Sequence, residues 1–588
     1  MLLQLPPEVI IRVLCYLDLQ DLLRVTQTHS ILHYHVHSCQ AIQYIVQTQA
    51  AGVEEVIVNS TLDFTDRLNR LKLYEEAWAG CTVNDLTTIR VRHFTPSGIR
   101  AFADGVFVLG DVDTSIHYFQ VSSNSKDAVQ WKKIDLHMPV VCVALSPAQD
   151  LLAVATAIPH PHTNNWQDQS VQVHLYQLST GSSHAHAAEN PIMFNDFCRP
   201  WHKILIEMVI AGENLALLIV HFGGAVKEEV SVYDWRSGQL KMVHTSLHSI
   251  SQICRLMNFS QNFEVPGRPA DWTRESYRVG FLAPHLLILL NTRTVALDIW
   301  EVTPSLMEHN PVPLVSLALP ALSPTHVLDR LSYFTDPNHP RTTASAGEAP
   351  MTYDSFAPRP QDALLLIHMV VRGVSPDSDK FLHRMYARRK DLIALCQDEG
   401  VRKGSRQGGV CGIPFDAWGP PITRWLRDDD IFPPPDEMYV SARSGTRALS
   451  EIAEILDFNP VAVRRAARRL EEQRQGGRGV GVRCAVGDMR KDDDDDYEEA
   501  AAPTQTKVFA GPSTFSAEEF VTPVTSTLPY VKGGINFRWH LPFVDVRVFD
   551  EWAMDAQRIL GIRVSWGALA HILRFVSAFY FAFIYIDS

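Results

Sequence analysis

From Thr82 onward the chain is built of short β-rich runs that recur in sets. Each run is rich in branched and aromatic side chains and ends at turn residues, which is typical of strands. The sets follow one another at intervals of about 55–60 residues, and such a repeat indicates stacked supersecondary units. One small sheet cannot bury both of its faces, whereas stacked sheets can, so the repeat predicts a propeller-like array. A stack of β-sandwiches and two separate β domains remain open as alternatives.

The first four sets each contain three predicted strands, and a fifth set contains two. The predicted strands are 88–94, 100–110 and 115–122; 140–145, 151–157 and 171–178; 204–210, 215–221 and 229–235; 278–282, 286–291 and 294–302; and 314–319 and 363–371. Insertions at about 321–362 and 400–412 interrupt the repeat, so the pattern does not give the number of units.

Residues 1–80 have the spacing of helices rather than strands. The apolar side of a first helix is formed by Val9, Ile10, Val13, Leu14 and Leu17. Pro6 is predicted at its first helical position, where a missing N–H costs nothing. Asp18 is predicted to cap a second helix. A third helix is predicted over 31–36, and two more follow before Thr82.

The C-terminal part has a mixed pattern. A helix is predicted over 450–470, and the acidic tract Asp492–Asp496 with the Ala/Pro/Thr-rich stretch after it is predicted to be disordered. The apolar stretch 568–586 is interrupted by His571 and Arg574, which leaves a run shorter than the roughly 20 residues of a membrane span. A docked helix or strand, or a tail with no fixed place, is therefore favoured over a membrane anchor.

Charge and cysteine use limit the class of protein. The formal net charge of −13 over 588 residues argues against a general nucleic-acid binder. Seven negative charges lie in the tract formed by Asp492–Asp496, Glu498 and Glu499. The nine cysteines include no C-x-x-C pair, and the N-terminus lacks a basic signal-peptide start. These features favour free thiols in a reducing compartment, the cytoplasm or the nucleus.

The sequence contains no recognisable catalytic motif. There is no phosphate-binding loop, no H-E-x-x-H and no G-x-S-x-G, so no catalytic residue, cofactor or metal is predicted. His29, His33 and His37 share a helix face, but without carboxylate or cysteine partners they favour an exposed surface over a metal site. Arg464, Arg465, Arg468 and Arg469 form a basic helix face. That face could serve nuclear localisation or phosphate binding, or be a solvated surface that the acidic tract neutralises.

The N-terminal 45 residues resemble an F-box. The resemblance rests on Leu5-Pro6-Pro7-Glu8, on the apolar positions that follow, and on the run Leu19–Leu23. It implies a three-helix module that docks to the Skp adaptor of a Skp–cullin–F-box ubiquitin ligase. It implies that Leu5, Pro6, Val9, Ile10, Val13 and Leu14 meet the adaptor, and that Leu17, Leu22 and Leu23 serve docking or the module's own core. The full predicted docking set also includes Pro7, Glu8 and Leu19. An amphipathic hairpin buried against the chain's own β region is the alternative.

A weaker and wider resemblance links the rest of the chain to F-box proteins of mushroom-forming fungi, whose downstream part is propeller-like. It rests on residues 41–45, 74–78, 413–420, 423–425, 457–460 and, as a closing segment, 528–531. The 57 residues after Val531 depart from this pattern. They are interpreted either as a real appendage or as the product of a gene model that reads past an exon boundary.

These observations predict an α+β multidomain chain with an N-terminal three-helix F-box and a helical linker, then an all-β, propeller-like domain and an irregular C-terminal tail. The predicted domains are an F-box over 1–47, a helical linker over 48–81, a β-rich substrate-recognition domain over 82–460, a charged disordered segment over 461–512, and a C-terminal segment without an assigned role over 513–588.

The predicted function is that of a substrate-recognition adaptor. Its expected partners are a Skp-type adaptor, through it a cullin-RING ligase, and an unidentified protein substrate, with neither nucleic acid nor membrane. Two alternatives stay open: a scaffold bound to the Skp adaptor alone, and an enzyme with its active site at the propeller centre.

Overall fold

The computed structural model describes most of the chain in separate stretches. These are residues 2–55, 62–80, 82–83, 85–91, 96–111, 114–120, 130–159, 169–198, 203–222, 226–248, 279–303, 312–336, 356–375, 378–407, 412–427, 443–449, 454–475, 506–534, 536–537, 551–554, 558–565 and 580–587.

Helices dominate the N-terminus, as predicted. They are α1 (Pro7–Leu14), α2 (Leu19–Thr28), α3 (Ser30–Ser38), α4 (Gln40–Ala51) and α5 (Phe64–Gly80). Later helices are α6 (Arg389–Gln397), α7 (Glu399–Gln407), α8 (Phe415–Trp418) and α9 (Pro460–Gln475).

The region after α5 is largely β, and most of its strands lie in consecutive antiparallel sheets. Sheet 1 contains β4 (Pro96–Ala103), β5 (Val106–Asp111), β6 (Ser115–Gln120) and β7 (Lys132–Asp135). Sheet 2 contains β8 (Val140–Ser146), β9 (Leu151–Pro159), β10 (Gln169–Gln177) and β11 (Ile192–Cys198). Sheet 3 contains β12 (Lys203–Ala211), β13 (Asn214–Phe222), β14 (Val226–Asp234) and β15 (Leu240–His248). Sheet 4 contains β16 (Val279–Ala283), β17 (Leu286–Asn291), β18 (Ala296–Glu301) and β19 (Val315–Ala318).

The later sheets combine strands that are further apart in sequence. Sheet 5 is β20 (His326–Thr335), β22 (Leu364–Gly373), β23 (Lys380–Arg388) and β24 (Thr423–Arg427). Sheet 6 is β25 (Arg443–Ser444), β26 (Arg447–Leu449), β27 (Glu454–Asp457), β31 (Tyr530–Gly534) and β28 (Lys507–Phe509). Sheet 7 is β3 (Asp85–Val91), β35 (Tyr580–Asp587), β34 (Arg558–Ser565) and β33 (Glu551–Met554). Short pairs are β1 (Val53–Glu55) with β21 (Phe356–Pro358), β2 (Thr82–Val83) with β32 (Asn536–Phe537), and β29 (Ser513–Phe515) with β30 (Val524–Ser526).

In each of sheets 1 to 3 the last strand was not predicted: β7, β11 and β15. The strand predicted over 88–94 in the first set corresponds to β3 and lies in sheet 7. The strand predicted over 314–319 in the fifth set corresponds to β19 and lies in sheet 4. In β7 only Ile134 is buried, so the strand lacks the alternation by which strands are recognised. The predicted strand 100–110 is in fact β4 and β5, because Asp104 and Gly105 both have positive φ (45° and 78°) and turn the chain back.

Neighbouring sheets bury their apolar faces against each other. Among the described side chains, separate clusters lie between sheets 1 and 2, 2 and 3, 3 and 4, 4 and 5, and 5 and 6. Each sheet from 2 to 5 is therefore covered on both faces, which is why its strands contain long runs of buried side chains, such as the first eight residues of β22.

The contact between sheets 4 and 5 leaves no room for a methyl group at Gly280. A Cβ there would overlap the hydroxyl and ring of Tyr333, which is fully buried. We expect Gly280→Ala to lower the free energy of unfolding by about 1–3 kcal/mol, because the core must shift to accept it. Gly511→Ala is the matched control, since a Cβ at Gly511 meets nothing within 4 Å. Equal denaturant midpoints for the two variants would contradict this packing.

Several C-terminal expectations are corrected by the structure. The helix predicted over 450–470 begins at Pro460, because residues 454–457 form β27. Order extends into the segment 461–512 that was predicted to be disordered: α9 occupies its start and β28 lies at 507–509. Residues 476–505, which include the acidic tract, lie outside the described residues. Pairing of β27 with β31 joins sequence from both sides of the predicted boundary at 460.

The apolar C-terminal stretch contains a strand. Residues Tyr580–Asp587 form β35, which pairs in parallel with β3 and β34. Residues 566–579 lie outside the described part of the chain. No helix in the described part combines the length and the hydropathy that a membrane crossing requires.

Candidate docking surface on the N-terminal helices

The first two helices begin at residues that suit their termini. Pro7, not Pro6, takes the first position of α1, and Pro6 is its N-cap residue with extended backbone (φ −55°, ψ 145°). The predicted cap at Asp18 is confirmed: its carboxylate accepts a hydrogen bond from the Asp21 backbone N–H at 2.8 Å. Both α1 and α2 contact α3.

The core of this N-terminal module is small and apolar. It consists of Ile10, Leu14, Leu22, Leu32, Val36 and Ile42, with Leu17 and Val25 among the half-buried residues around it. Ile10 and Leu14 are only 2% and 1% exposed. Their side chains hold the module together and do not reach its surface.

A side of α1 next to the buried one, together with residues just before and after the helix, exposes large apolar side chains. Leu5, Val9 and Val13 are 41%, 43% and 41% exposed, and Tyr16, just after the helix, is 80% exposed. At 100° per residue, Val9 and Val13 lie about 40° apart on the helix, so they form one stripe. We call Leu5, Val9, Val13 and Tyr16 the α1 face. Exposed apolar stripes of this kind mark protein interaction sites.

The structure divides the predicted docking residues into three groups. Those exposed are Leu5, Pro6, Pro7, Glu8, Val9, Val13 and Leu23; those half-buried are Leu17 and Leu19; those buried are Ile10, Leu14 and Leu22. The buried group packs within the module, which for Leu22 is one of the two roles that the sequence left open. Contact of Ile10 and Leu14 with a partner stays a prediction. The apolar pattern of α1 did not show which of its apolar residues are buried and which are exposed.

A buried arginine from sheet 6 connects the helices to the sheets. Arg447 donates to Asp457 Oδ2 at 3.2 Å, to the Tyr74 hydroxyl at 3.2 Å and to Glu75 Oε1 at 2.9 Å. Its guanidinium also lies 4.7 Å from the ring centroid of Trp78. Burial alone would lower the pKa of Arg447, but Asp457 and Glu75 outweigh it and raise the pKa. The guanidinium thus stays charged and fixes α5 to sheet 6.

Two further contacts hold the end of α4. Asn459 Nδ2 donates to the Ala50 carbonyl at 3.0 Å, and the Arg359 N–H donates to the Gly52 carbonyl at 2.9 Å. Gly52 has φ 69°, the left-handed conformation that ends α4 and that glycine adopts without strain. Strand β1 then pairs with β21. The linker that was predicted only as helical is therefore joined to the β region at several points.

The histidine groups form no metal site in the described residues. The His33 and His37 rings lie 4.3 Å apart on the exposed side of α3, without a third ligand. His184 is buried and its Nε2 lies 3.2 Å from the Gln149 carbonyl oxygen. The pair His160 and His162 lies outside the described residues.

One polar cluster, in sheet 1, contains the residue types of a hydrolase triad. Ser115 Oγ and Asp111 Oδ2 both lie 3.3 Å from the same atom, His117 Nε2. In a nucleophile–base–acid relay the two ring nitrogens face different partners. Ser115 is also 1% exposed, and burial lowers the pKa of His117. The cluster is therefore arranged to satisfy buried polar groups of adjacent strands rather than to activate the serine.

Comparison with protein families identifies one domain. Residues 2–41 match the family model described as F-box-like. Such a domain suggests a Skp-binding adaptor role, and F-box domains are typically adaptors rather than enzymes. No curated protein matches the chain.

Solved structures give only distant likenesses. The computationally designed Ika4 protein is 11% identical, with 36% of this chain and 94% of that chain covered and a TM-score of 0.20. An uncharacterized protein from Listeria monocytogenes is 9% identical over 51% and 70% of the two chains, with a TM-score of 0.23. Kluyveromyces lactis Hsv2 is 8% identical over 50% and 74%, with a TM-score of 0.20. TM-scores of this size do not establish a common fold.

Proposed function

We propose that this chain is a substrate-recognition adaptor of a Skp–cullin–F-box ubiquitin ligase. The α1 face carries the proposal: an F-box-like module leaves Leu5, Val9 and Val13 open to solvent instead of packing them on its own β region. In this role the chain performs no chemistry. It raises the effective concentration of a bound protein near the charged ubiquitin-conjugating enzyme, and other subunits transfer ubiquitin.

A fixed link between docking module and sheets supports this mechanism. Proximity is effective only when the substrate is held at a limited set of positions, and a flexible linker spreads those positions over a large volume. The contacts of Arg447 and Asn459 attach α5 and α4 to sheet 6 through buried polar groups. The geometry of the module relative to the sheets would thus be set by the chain itself.

The β region is proposed to be a propeller, whose loop-bearing face would bind the substrate. Support comes from the order of the sheets, from the cores between neighbours, and from the adjacency of the first strands β4, β8, β12 and β16. Sheet 7 combines β3, which precedes sheet 1, with strands from the C-terminus. A sheet that combines strands from the two ends of the β region is one way in which such a ring would be closed.

Removing residues 551–587 tests the ring. If β33–β35 close it, amide hydrogens of residues 85–91 should exchange much faster in the truncated chain, because β3 loses its neighbour β35. Exchange in β13, at the centre of sheet 3, serves as the internal control and should change little. Unaltered protection of residues 85–91 would show that these strands are an appendage.

The likeness to F-box proteins of mushroom-forming fungi and a location in the cytoplasm or nucleus remain sequence-based proposals. The residues that carry the fungal likeness include Trp418 and Trp425, which are 1% and 2% exposed. They pack with Phe415 in the core between sheets 4 and 5. The tryptophan residues that carry the fungal likeness therefore support a similar core packing and not a similar binding surface.

Affinity capture of the tagged chain tests the ligase role against the scaffold role. A ligase adaptor should recover both a Skp-type adaptor and a cullin, in the proportions given by an established F-box protein in the same cells. Recovery of the Skp-type adaptor without cullin would favour a scaffold. Recovery of neither would overturn the proposal.

A further inference from the structure

Helix α9 lies between the N-terminal module and sheet 6, with one side packed and one side open. Its packed side faces α4, β28 and β31, and Val463 on that side is 4% exposed. Asn459 connects its start to α4. The open side presents four exposed arginines: Arg464, Arg465, Arg468 and Arg469.

These arginines are poorly neutralised within the described part of the chain. Arg465 donates to the neutral amide oxygen of Gln47 at 2.8 Å, and Arg468 forms an exposed ion pair with Glu472 at 2.8 Å. Arg464 and Arg469 form no ion pair with another described residue. Like charges at i, i+1, i+4 and i+5 repel one another, so the face favours a ligand with several negative charges.

We propose that this basic face binds the acidic tract of the same chain, Asp492–Glu499. The tract carries seven carboxylates, against four guanidinium groups on the helix. Bidentate pairing suits arginine and carboxylate groups, and several pairs together are favourable where a single exposed pair contributes little.

Chain length places the tract within reach. It begins 17 residues after Gln475, where α9 ends, and it ends 8 residues before Lys507, the start of β28, which itself packs on α9. Eight residues span up to about 26–29 Å, and a 16-residue helix is about 24 Å long. Because the tract is tethered on both sides, its effective concentration at the α9 arginines is on the order of 1 mM. At that concentration even a weak electrostatic contact would be largely formed.

The tract would thus occupy a surface beside the docking module, and any external anionic partner would have to displace it. The proposal does not depend on the ligase role. It accounts for a concentrated positive face and a concentrated negative segment in a chain whose remaining charge is only mildly acidic.

Binding of a labelled peptide to full-length chains tests the proposal. The probe is a fluorescein-labelled peptide of residues 488–502, measured by anisotropy at 50 mM salt. In the neutral-tract variant the aspartates are changed (Asp492→Asn, Asp493→Asn, Asp494→Asn, Asp495→Asn, Asp496→Asn) together with Glu498→Gln and Glu499→Gln. If the neutral-tract variant binds the peptide with a Kd of about 100 µM, the wild-type chain should bind the peptide about tenfold more weakly. The tract of the wild-type chain, at an effective concentration of about 1 mM, competes with the peptide for the basic face.

Charge-matched variants in the neutral-tract background show where the peptide binds. Arg464→Gln, Arg465→Gln, Arg468→Gln and Arg469→Gln together should abolish binding. The control changes four exposed cations elsewhere: Arg24→Gln, Arg70→Gln, Lys72→Gln and Lys403→Gln. It should retain binding within about twofold.

Equal peptide affinity for wild-type and neutral-tract chains would overturn the proposal, as would unchanged binding after loss of the four α9 arginines. Tighter binding of a single-stranded RNA than of the peptide, lost with the same arginines, would assign the face to nucleic acid instead.

Discussion

Replacing Val9 and Val13 together with Asp should abolish binding of a Skp-type adaptor while leaving the chain folded. Both side chains are about two-fifths exposed on the α1 face, so the free module tolerates a carboxylate there. In the complex each valine would contribute about 1 kcal/mol of apolar burial, and an unpaired buried carboxylate would cost more. We expect at least a hundredfold loss of affinity, about 2.7 kcal/mol, measured by titration calorimetry.

The control for this variant is Leu73→Asp with Val374→Asp. Both residues are exposed apolar side chains outside the module, 63% and 60% exposed. Adaptor affinity should stay within about twofold of the wild type. A Val9→Asp/Val13→Asp chain that still binds with full affinity would show that the adaptor docks elsewhere. A second pair, Leu5→Ala with Pro6→Ala, checks the same face without adding charge, and it should weaken binding while the sheets keep their unfolding midpoint.

Arg447→Met should be the most destabilising single substitution that we predict. The guanidinium lies between the carboxylates of Asp457 and Glu75, and it is 5% exposed. Removing it leaves two acidic groups near each other in a buried place, which typically costs about 3–5 kcal/mol. Denaturant unfolding should show this loss, and amide exchange in α5 should accelerate more than exchange in sheet 3.

Arg24→Met is the matched control for the loss of a guanidinium. Its ion pair with Asp21 is exposed on both sides, 73% and 48%. Exposed pairs contribute about 0–1 kcal/mol, so the unfolding midpoint should hardly move. Similar losses for the two variants would mean that the Arg447 contacts do not join the helices to the sheets in solution.

The β region was predictable where local patterns decide the structure. Strands buried on one or both faces contain runs of apolar residues that reveal them, and the recurrence of those runs predicted consecutive sheets. Strand β7 was missed because its one buried side chain, Ile134, produces no periodicity. No strand of sheet 6 was predicted, and β27 lies within a segment that was predicted as a helix. Its partner β31 is more than seventy residues away, and no local pattern indicates such a pairing.

The candidate docking site was predictable only in part. The motif at the N-terminus predicted the correct module, but Val9 and Ile10 are adjacent and equally apolar, so only the packing on α3 tells which is exposed. The contacts of Arg447 with Tyr74 and Glu75 join residues 373 and 372 positions apart, and no local pattern predicts such pairs.

The most direct test of the adaptor role is size-exclusion chromatography with light scattering on purified components. The full-length chain, a Skp-type adaptor and the adaptor-binding half of a cullin are mixed in equal amounts. Our account predicts one 1:1:1 complex, which the Val9→Asp/Val13→Asp chain fails to form. A chain–adaptor complex that excludes cullin, or no complex at all, would contradict it.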